Sequence, residues 1–280
     1  MRVWFITGGS SGLGLALVRS VLGKGDRVIA TSRGPSELDQ LVENYPLTAR
    51  RLSLDVSDDA EVQRVVEIAV GLFDRIDVVV NNAGYGLVGA FEELGVEQIA
   101  RNFSVNFFGA LGVIRAVLPR MRAAGSGHII NISAAAVIGN YPGFSIYGAT
   151  KWALEGVSES LAAELKPLGI KVTIVQPGPF RTDFIGRSLE RGEGTIPEYV
   201  RTSGKFAGFL ESMEGKQAGD PVKAAGAIIA VVEASRPPLR LVLGKYADDK
   251  SRRKLVIAEK ELGEWSGVGK ETDFDSPAVG

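Results

Sequence analysis

Thr7-Gly8-Gly9-Ser10-Ser11-Gly12-Leu13-Gly14 decides how this chain folds. The octet directly follows an apolar run at 3–7 and opens a helix-periodic apolar stretch at 13–22. Glycines at 8, 12 and 14 permit a tight turn, close approach of the backbone to a ligand and close helix–strand packing. The helix that follows turns unpaired N–H groups and the positive end of its dipole toward an anion such as a pyrophosphate. A glycine string alone is weak evidence; its place between a first strand and a first helix gives it weight. The spacing is G-x-x-x-G-x-G, which departs from the commoner G-x-G-x-x-G.

Outward from this loop, short apolar runs alternate with amphipathic segments. Strands are expected at 3–7, 27–31, 50–54, 77–81, 128–132, 171–176 and 240–243. Helices are expected at 13–22, 35–44, 59–73, 96–123, 145–166 and 221–234. This alternation builds βαβ units, and runs such as Val78-Val79-Val80 fit strands buried on both faces. Right-handed crossovers then give an α/β, Rossmann-type doubly wound parallel sheet of about seven strands with helices on both faces. Residues 1–245 read as one domain, with a glycine- and aromatic-rich segment at 183–220 that reads as a substrate lid. Residues 246–280 read as a C-terminal extension. The charged 245–275 stretch is expected to be helical in its first half, and the run Asp273-Phe274-Asp275-Ser276-Pro277 to be a surface tail.

Composition narrows the partners. The 280 residues are 45% apolar, ample for a large core. With 32 basic and 33 acidic residues the net charge is −1, so neither nucleic acid nor an anionic membrane is expected as a partner. Cysteine is absent and His128 stands alone. That rules out disulfides and thiolate or multi-histidine metal sites, and no metal is expected. No apolar stretch approaches the roughly 20 residues of a membrane span, and the N-terminus reads as a first strand and not as a signal peptide. The expected location is cytoplasmic.

Tyr147 and Lys151 stand four apart in Tyr147-Gly148-Ala149-Thr150-Lys151, so on a helix they share one face. A phenol with an ordinary pKa of about 10 is a poor acid or base near neutrality. An ammonium a few ångströms away favours the phenolate and lowers that value. The pair reads as a proton-transfer device, although the spacing alone is common on helices.

Together these motifs resemble the short-chain dehydrogenase/reductase family. Thr7–Gly14 is similar to that family's TGxxxGxG loop, and Asn81-Asn82-Ala83-Gly84 to its NNAG motif. Asn106 matches its helix asparagine, Tyr147–Lys151 its YxxxK, and Pro177-Gly178-Pro179-Phe180-Arg181-Thr182 its PG-x-x-x-T segment. The motifs come in family order over about 3–182. The resemblance implies a nicotinamide dinucleotide held by Gly8, Ser10, Ser11, Gly12, Leu13 and Gly14. Asp55 and Val56 would lie at the adenine, and Asn82, Ala83 and Gly84 on the adenosine ribose side. Tyr147 and Lys151 would meet the nicotinamide ribose, and Pro177, Gly178, Phe180 and Thr182 the nicotinamide. After the second strand, Ser32-Arg33-Gly34 carries no acid, and Arg33 can pair with a 2′-phosphate; NADP(H) is expected over NAD(H). The substrate would be a small carbonyl compound or alcohol, and homodimers or homotetramers would form through the helices at 96–123 and 145–166.

The family's catalytic set is Asn, Ser, Tyr and Lys. Here Asn106 would hold a relay water, Tyr147 would move the proton, and Lys151 would tune it. The serine should lie thirteen residues before the tyrosine, but that position is Ala134. Ser133 is one residue early and, in extended backbone, faces the other side. Three readings stay open: a deliberate Ser→Ala change, a local shift that lets Ser133 or Ser145 serve, or a natural variant of low or altered activity. Loss of one such donor typically costs about 10²–10³-fold in rate. A non-catalytic dinucleotide sensor or scaffold is the alternative function. Near the expected pocket Val137, Tyr141, Phe144 and Phe184 are apolar or aromatic, as are Phe180, Ile185, Phe206, Phe209 and Leu210, so a lipophilic substrate is expected. His128 and Trp152 read as packing residues.

Overall fold

Successive strand residues point to opposite faces of a sheet, and β1 (Val3–Ile6) buries every side chain by this rule. Trp4 and Ile6 enter one core, while Val3 and Phe5 enter the other. The computed structural model describes residues 1–34 and 37–274. After β1 come α1 (Gly12–Gly23), β2 (Arg27–Ser32), α2 (Glu37–Asn44), β3 (Ala49–Ser53), α3 (Asp59–Phe73) and β4 (Val78–Asn81). A short β5 (Gly86–Val88) follows, then α4 (Val96–Phe103), α5 (Gly109–Ala124), β6 (Gly127–Ile132), α6 (Ser145–Leu165) and β7 (Ile170–Pro177). The last third holds α7 (Phe184–Arg187), β8 (Leu189–Arg191), α8 (Lys205–Ser212), α9 (Pro221–Glu233), β9 (Arg240–Leu243) and α10 (Lys245–Lys270).

Seven strands form one parallel sheet in the order β3-β2-β1-β4-β6-β7-β9. The expected doubly wound α/β architecture is therefore present. One face is covered by side chains of α1, α2 and α9, the other by those of α3, α5 and α6. Local chemistry sets the helix starts. Asp58 caps α3 through Glu61 N–H, and Asp220 caps α9 through Val222 and Lys223 N–H with Pro221 at the first position. The order reverses between β1 and β4, which opens a crevice at the carboxyl ends of these strands, where ligands of such sheets bind.

Three expectations are corrected, and one segment gains detail. The helix at 96–123 is interrupted by a π-helical turn at Ser104–Phe108. By length and composition the whole run Val96–Ala124 would suffice to cross a membrane; here Val113, Ile114, Val117 and Met121 spend its apolar face on the core. Segment 183–220 contains α7, β8 and α8, and β8 pairs in parallel with β5 as a second small sheet. The C-terminal helix α10 runs through Lys270, well past its expected first half. Two expectations, a helix start at Pro35 and the tail at Asp275–Pro277, lie outside the described residues.

Candidate active site

The glycine loop leaves β1 in a conformation that needs glycine. Gly8 has φ +63°, and a Cβ there would sit 2.9 Å from Ala83 Cα. A Cβ on Gly14 would meet Gly8 C=O at 2.4 Å, so α1 can start this close to the strand only without one. Asn82 ties the loop down: its Nδ2 donates to Thr7 C=O at 3.0 Å and Gly8 C=O at 2.9 Å. Thr7 Oγ1 in turn accepts from the N–H groups of Asn82 and Ala83, each at 3.1 Å. Asn81 donates to Asn131, which donates to Ser158 on α6, so both asparagines of the motif have structural bonds.

A cleft of about 890 Å³ runs from this loop across the strand ends. Gly8, Ser10, Ser11, Gly12, Leu13, Arg33, Asp55, Val56, Asn82, Ala83 and Gly84 line one end. Ala134, Tyr147, Lys151, Pro177, Gly178, Phe180 and Thr182 line the middle, and Tyr141, Phe144 and Phe184 the far end. Arg33 is exposed at the rim and forms no ion pair among the described residues. Asp55 is held below the usual carboxylate range: burial raises it, but bonds from the Ser57 hydroxyl and N–H and the charge of Arg33 outweigh that. Three expected residues are not in the wall. Gly14 is used up in loop–helix packing. Val137 is buried behind a turn closed by its N–H on Ala134 C=O. Asn106 lies behind Gly84, whose Cβ would come 2.8 Å from its Oδ1.

Tyr147 and Lys151 share the inner face of α6 and are both buried. Lys151 Nζ donates to Ile132 C=O at 2.9 Å and lies 6.0 Å from the Tyr147 ring centre. Burial pulls Lys151 down to about 8. Burial also pushes Tyr147 above its ordinary value, so in the protein alone desolvation outweighs the ammonium and the expected lowering is absent. Asn106, in the π-turn, accepts from Tyr85 N–H and donates to Tyr85 C=O, both at 2.9 Å, with weaker bonds to Asn102 and Thr150. Its side chain is a clasp for the wall, with both amide atoms engaged in these bonds.

Ala134 packs with Phe144, Tyr147 and Val88. Ser133 does not replace the missing hydroxyl, because its Oγ donates to Glu155 at 2.6 Å. That buried carboxylate also accepts from Gln176 at 2.8 Å and Arg240 at 3.1 Å. Ser145 Oγ is buried without a partner and does not line the cleft.

The far end is aromatic. Tyr141 stacks on Phe206 at 4.9 Å, and Phe144 meets Phe206 and Tyr147 edge-on at 5.0 Å. Segment 183–220 is fastened over it by the β5–β8 pairing and by Gln98, which donates to Glu190 and to Arg191 C=O. The start of α10 closes one side, where Tyr246 and Tyr141 share a hydroxyl hydrogen bond of 2.6 Å. Sequence reasoning missed Tyr246, Met213 and Gln217 in this wall; they come from segments with no motif. Two packing expectations divide: His128 is buried against Thr173 at 2.9 Å, whereas Trp152 is 56% exposed on α6.

A glycine-cradled crevice at a sheet switch point, with a buried tyrosine and lysine facing it, defines a nicotinamide-dinucleotide oxidoreductase. The sequence profile described as short chain dehydrogenase matches residues 2–192, and the chain belongs to that family. It is 37% identical over 265 residues to oxidoreductase BOA17 of Botryotinia fuckeliana, covering 94% of this chain and 96% of that protein. It is 36% identical to 3-ketodihydrosphingosine reductase of Bacteroides thetaiotaomicron, with coverage of 87% and 88%. The crystal structure of a short-chain dehydrogenase from Streptomyces avermitilis superposes with TM-score 0.91 at 41% identity, covering 98% of this chain and all of that one. Serine dehydrogenase in complex with NADP+ superposes with TM-score 0.74 at 26% identity, with coverage of 86% and 94%.

Proposed function

We propose that this chain is an NADP(H)-dependent carbonyl reductase, reversible as an alcohol dehydrogenase, acting on a lipophilic ketone or secondary alcohol. The observation that carries this reading is one continuous cleft. It joins the glycine loop and the exposed Arg33 to the buried Tyr147–Lys151 pair and then to an aromatic end. The dinucleotide, when bound, supplies or accepts the hydride. The loop around Gly8 and Gly12 takes the pyrophosphate, Asp55 and Asn82–Gly84 flank the adenosine, and Arg33 pairs with a 2′-phosphate. Serine dehydrogenase, bound to NADP+, supports that cofactor.

Tyr147 holds the proton that a carbonyl oxygen takes up. Burial keeps its phenol protonated well into the alkaline range, which suits the reducing direction. Lys151 is cationic below about pH 8 and stabilises the phenolate as the proton leaves. Phe144, Phe184 and Phe206 exclude water and bind apolar surface around the reacting carbon. A relative acts on a keto compound by its name, 3-ketodihydrosphingosine. With alanine at 134, one donor to the reacting oxygen is missing, so turnover is slow. The same alanine is the observation that favours a second reading, a dinucleotide-binding sensor. Phe108 and Trp152, 60% and 56% exposed on neighbouring helices, are offered as the contact between copies in a homodimer or homotetramer.

The test is NADPH consumption against a panel of apolar and polar ketones, with the chain as it stands and with Ala134→Ser. Faster turnover of apolar ketones by the serine variant is expected. Binding of NADPH without turnover of any carbonyl by either protein would move the assignment to the sensor.

A further inference from the structure

Gln217 is the residue of the cleft that the proposed chemistry leaves without work. It is 2% exposed, and both its amide nitrogen and its amide oxygen are buried without a hydrogen-bond partner. Among the described residues it is the one side chain with two such atoms. It lines the cleft. A primary amide left in this state is costly, and native structures rarely keep one without a ligand or water to satisfy it.

Its main chain is held firmly. Arg181 Nε donates to Gln217 C=O at 3.3 Å. Two residues on, Gly219 N–H donates to Pro179 C=O and Gly219 C=O accepts from Arg181 N–H, and Phe180 and Gly219 form a parallel bridge. The amide is thus carried by a piece of backbone stitched to the Pro177–Thr182 segment. Phe206, Phe209, Leu210 and Met213 precede it at helical spacing and line the same cleft. A neutral amide that follows such an apolar run is suited to read one polar feature of a ligand.

We propose that Gln217 is a ligand-reading residue. It pairs with a neutral group that both donates and accepts a hydrogen bond, as a primary carboxamide does in a two-bond amide pair, or as a hydroxyl does singly. Two ligands can bring this chemistry into the cleft. One is the carboxamide of the nicotinamide, the other a polar substituent on an otherwise apolar ketone. The inference rests on the dinucleotide reading of the cleft.

The full-length chain and Gln217→Leu are compared in two arms, after thermal melting shows that both fold. Removal of an unsatisfied amide should leave the ligand-free melting temperature equal or higher. The first arm measures binding of NADP+ and of its 3-acetylpyridine analogue, in which a methyl replaces the amide nitrogen. If the cofactor is read, the wild type prefers NADP+ by about tenfold and the leucine variant loses that preference. The second arm measures KM for paired ketones that differ by a hydroxyl in place of a methyl. If the substrate is read, the wild type favours the hydroxyl member by about tenfold and the variant does not. Gln217→Met, of similar length and without donor or acceptor nitrogen and oxygen, should lose the preference as leucine does in whichever arm responds, and it serves as the variant should leucine prevent folding. Wild-type protein that binds dinucleotide, with neither variant differing from it in either arm, overturns the Gln217 assignment alone. Wild-type protein that binds no dinucleotide overturns the reading beneath it as well.

Discussion

The two ends of the cleft are built in different ways. The dinucleotide end is made of strand ends and main chain: Thr7, Gly8, Asn82 and Ala83 hold one another through hydrogen bonds of 2.9–3.1 Å, and glycines stand where a Cβ would clash. The substrate end is made of side chains from late segments. Tyr141, Phe144, Phe206 and Tyr246 meet through ring contacts and one shared hydroxyl bond. Hydrogen bonds between side chains and main chain fix the shape of the first end, whereas apolar packing tolerates volume-conserving exchange at little cost. The first end therefore suits a ligand of fixed shape, and the second can accommodate variation in an apolar ligand.

Substitutions that break the junction between the ends should have the largest effects. Tyr147→Phe removes the proton donor and should lower kcat by about 10²–10⁴-fold, with NADPH affinity falling by no more than the loss of one hydrogen bond to the ribose; steady-state rates and a binding titration check this. Ala134→Ser should raise kcat by about 10²–10³-fold, since it restores a donor to the reacting oxygen. At the rigid end, Arg33→Ala should weaken NADPH about tenfold and leave NADH as it was. Equal affinities of the wild type for the two cofactors would remove the reason for assigning Arg33 to the phosphate. At the soft end, Phe206→Ala should raise KM for apolar ketones several-fold, by roughly the loss of one aromatic contact, with cofactor affinity untouched.

Titration sharpens the same contrast. Burial lowers Lys151 to about 8 in the folded protein, below its ordinary value, so the folded state gives up this proton first. The stability cost of burying its charge is then largest below about pH 8 and fades as the pH rises toward the unfolded value. Activity moves oppositely: kcat/KM for reduction should hold to near pH 8 and fall above it as the ammonium is lost, while Tyr147 stays protonated. His128 acts at the other extreme. Burial, helped by Lys171 and Arg2, lowers it to about 4. Its contribution is present above its unfolded value and is lost as pH falls toward 4, which acid melts of a His128→Gln variant should show as a flatter profile.

The rigid end was the legible one. Glycines at 8 and 12, the acid-free turn at Arg33, and the Asn82–Gly84 run carry local constraints that a sequence displays directly. Strand alternation turned Ser133 away from the side of Ala134; its hydroxyl bonds Glu155, while the residue still contributes to the cleft lining. The soft end was only half legible. Tyr141, Phe144 and Phe184 were read as pocket residues, but Val137 turned into the interior, and Gln217 and Tyr246 arrived from segments far along the chain. Long-range placement of this kind depends on how 183–220 and α10 dock, through the β5–β8 pairing and Gln98, and no local pattern encodes it. The phenol's pKa failed for a related reason: spacing gives proximity to Lys151, but desolvation follows from the whole packed cleft.

The most direct test of the account follows NADPH absorbance with apolar ketones in the Ala134→Ser background, with and without Tyr147→Phe. The account predicts measurable reduction in Ala134→Ser and its loss in the double variant, with both proteins still saturated by NADPH. Turnover that survives Tyr147→Phe, or NADPH binding with no reduction of any carbonyl by Ala134→Ser, would contradict it.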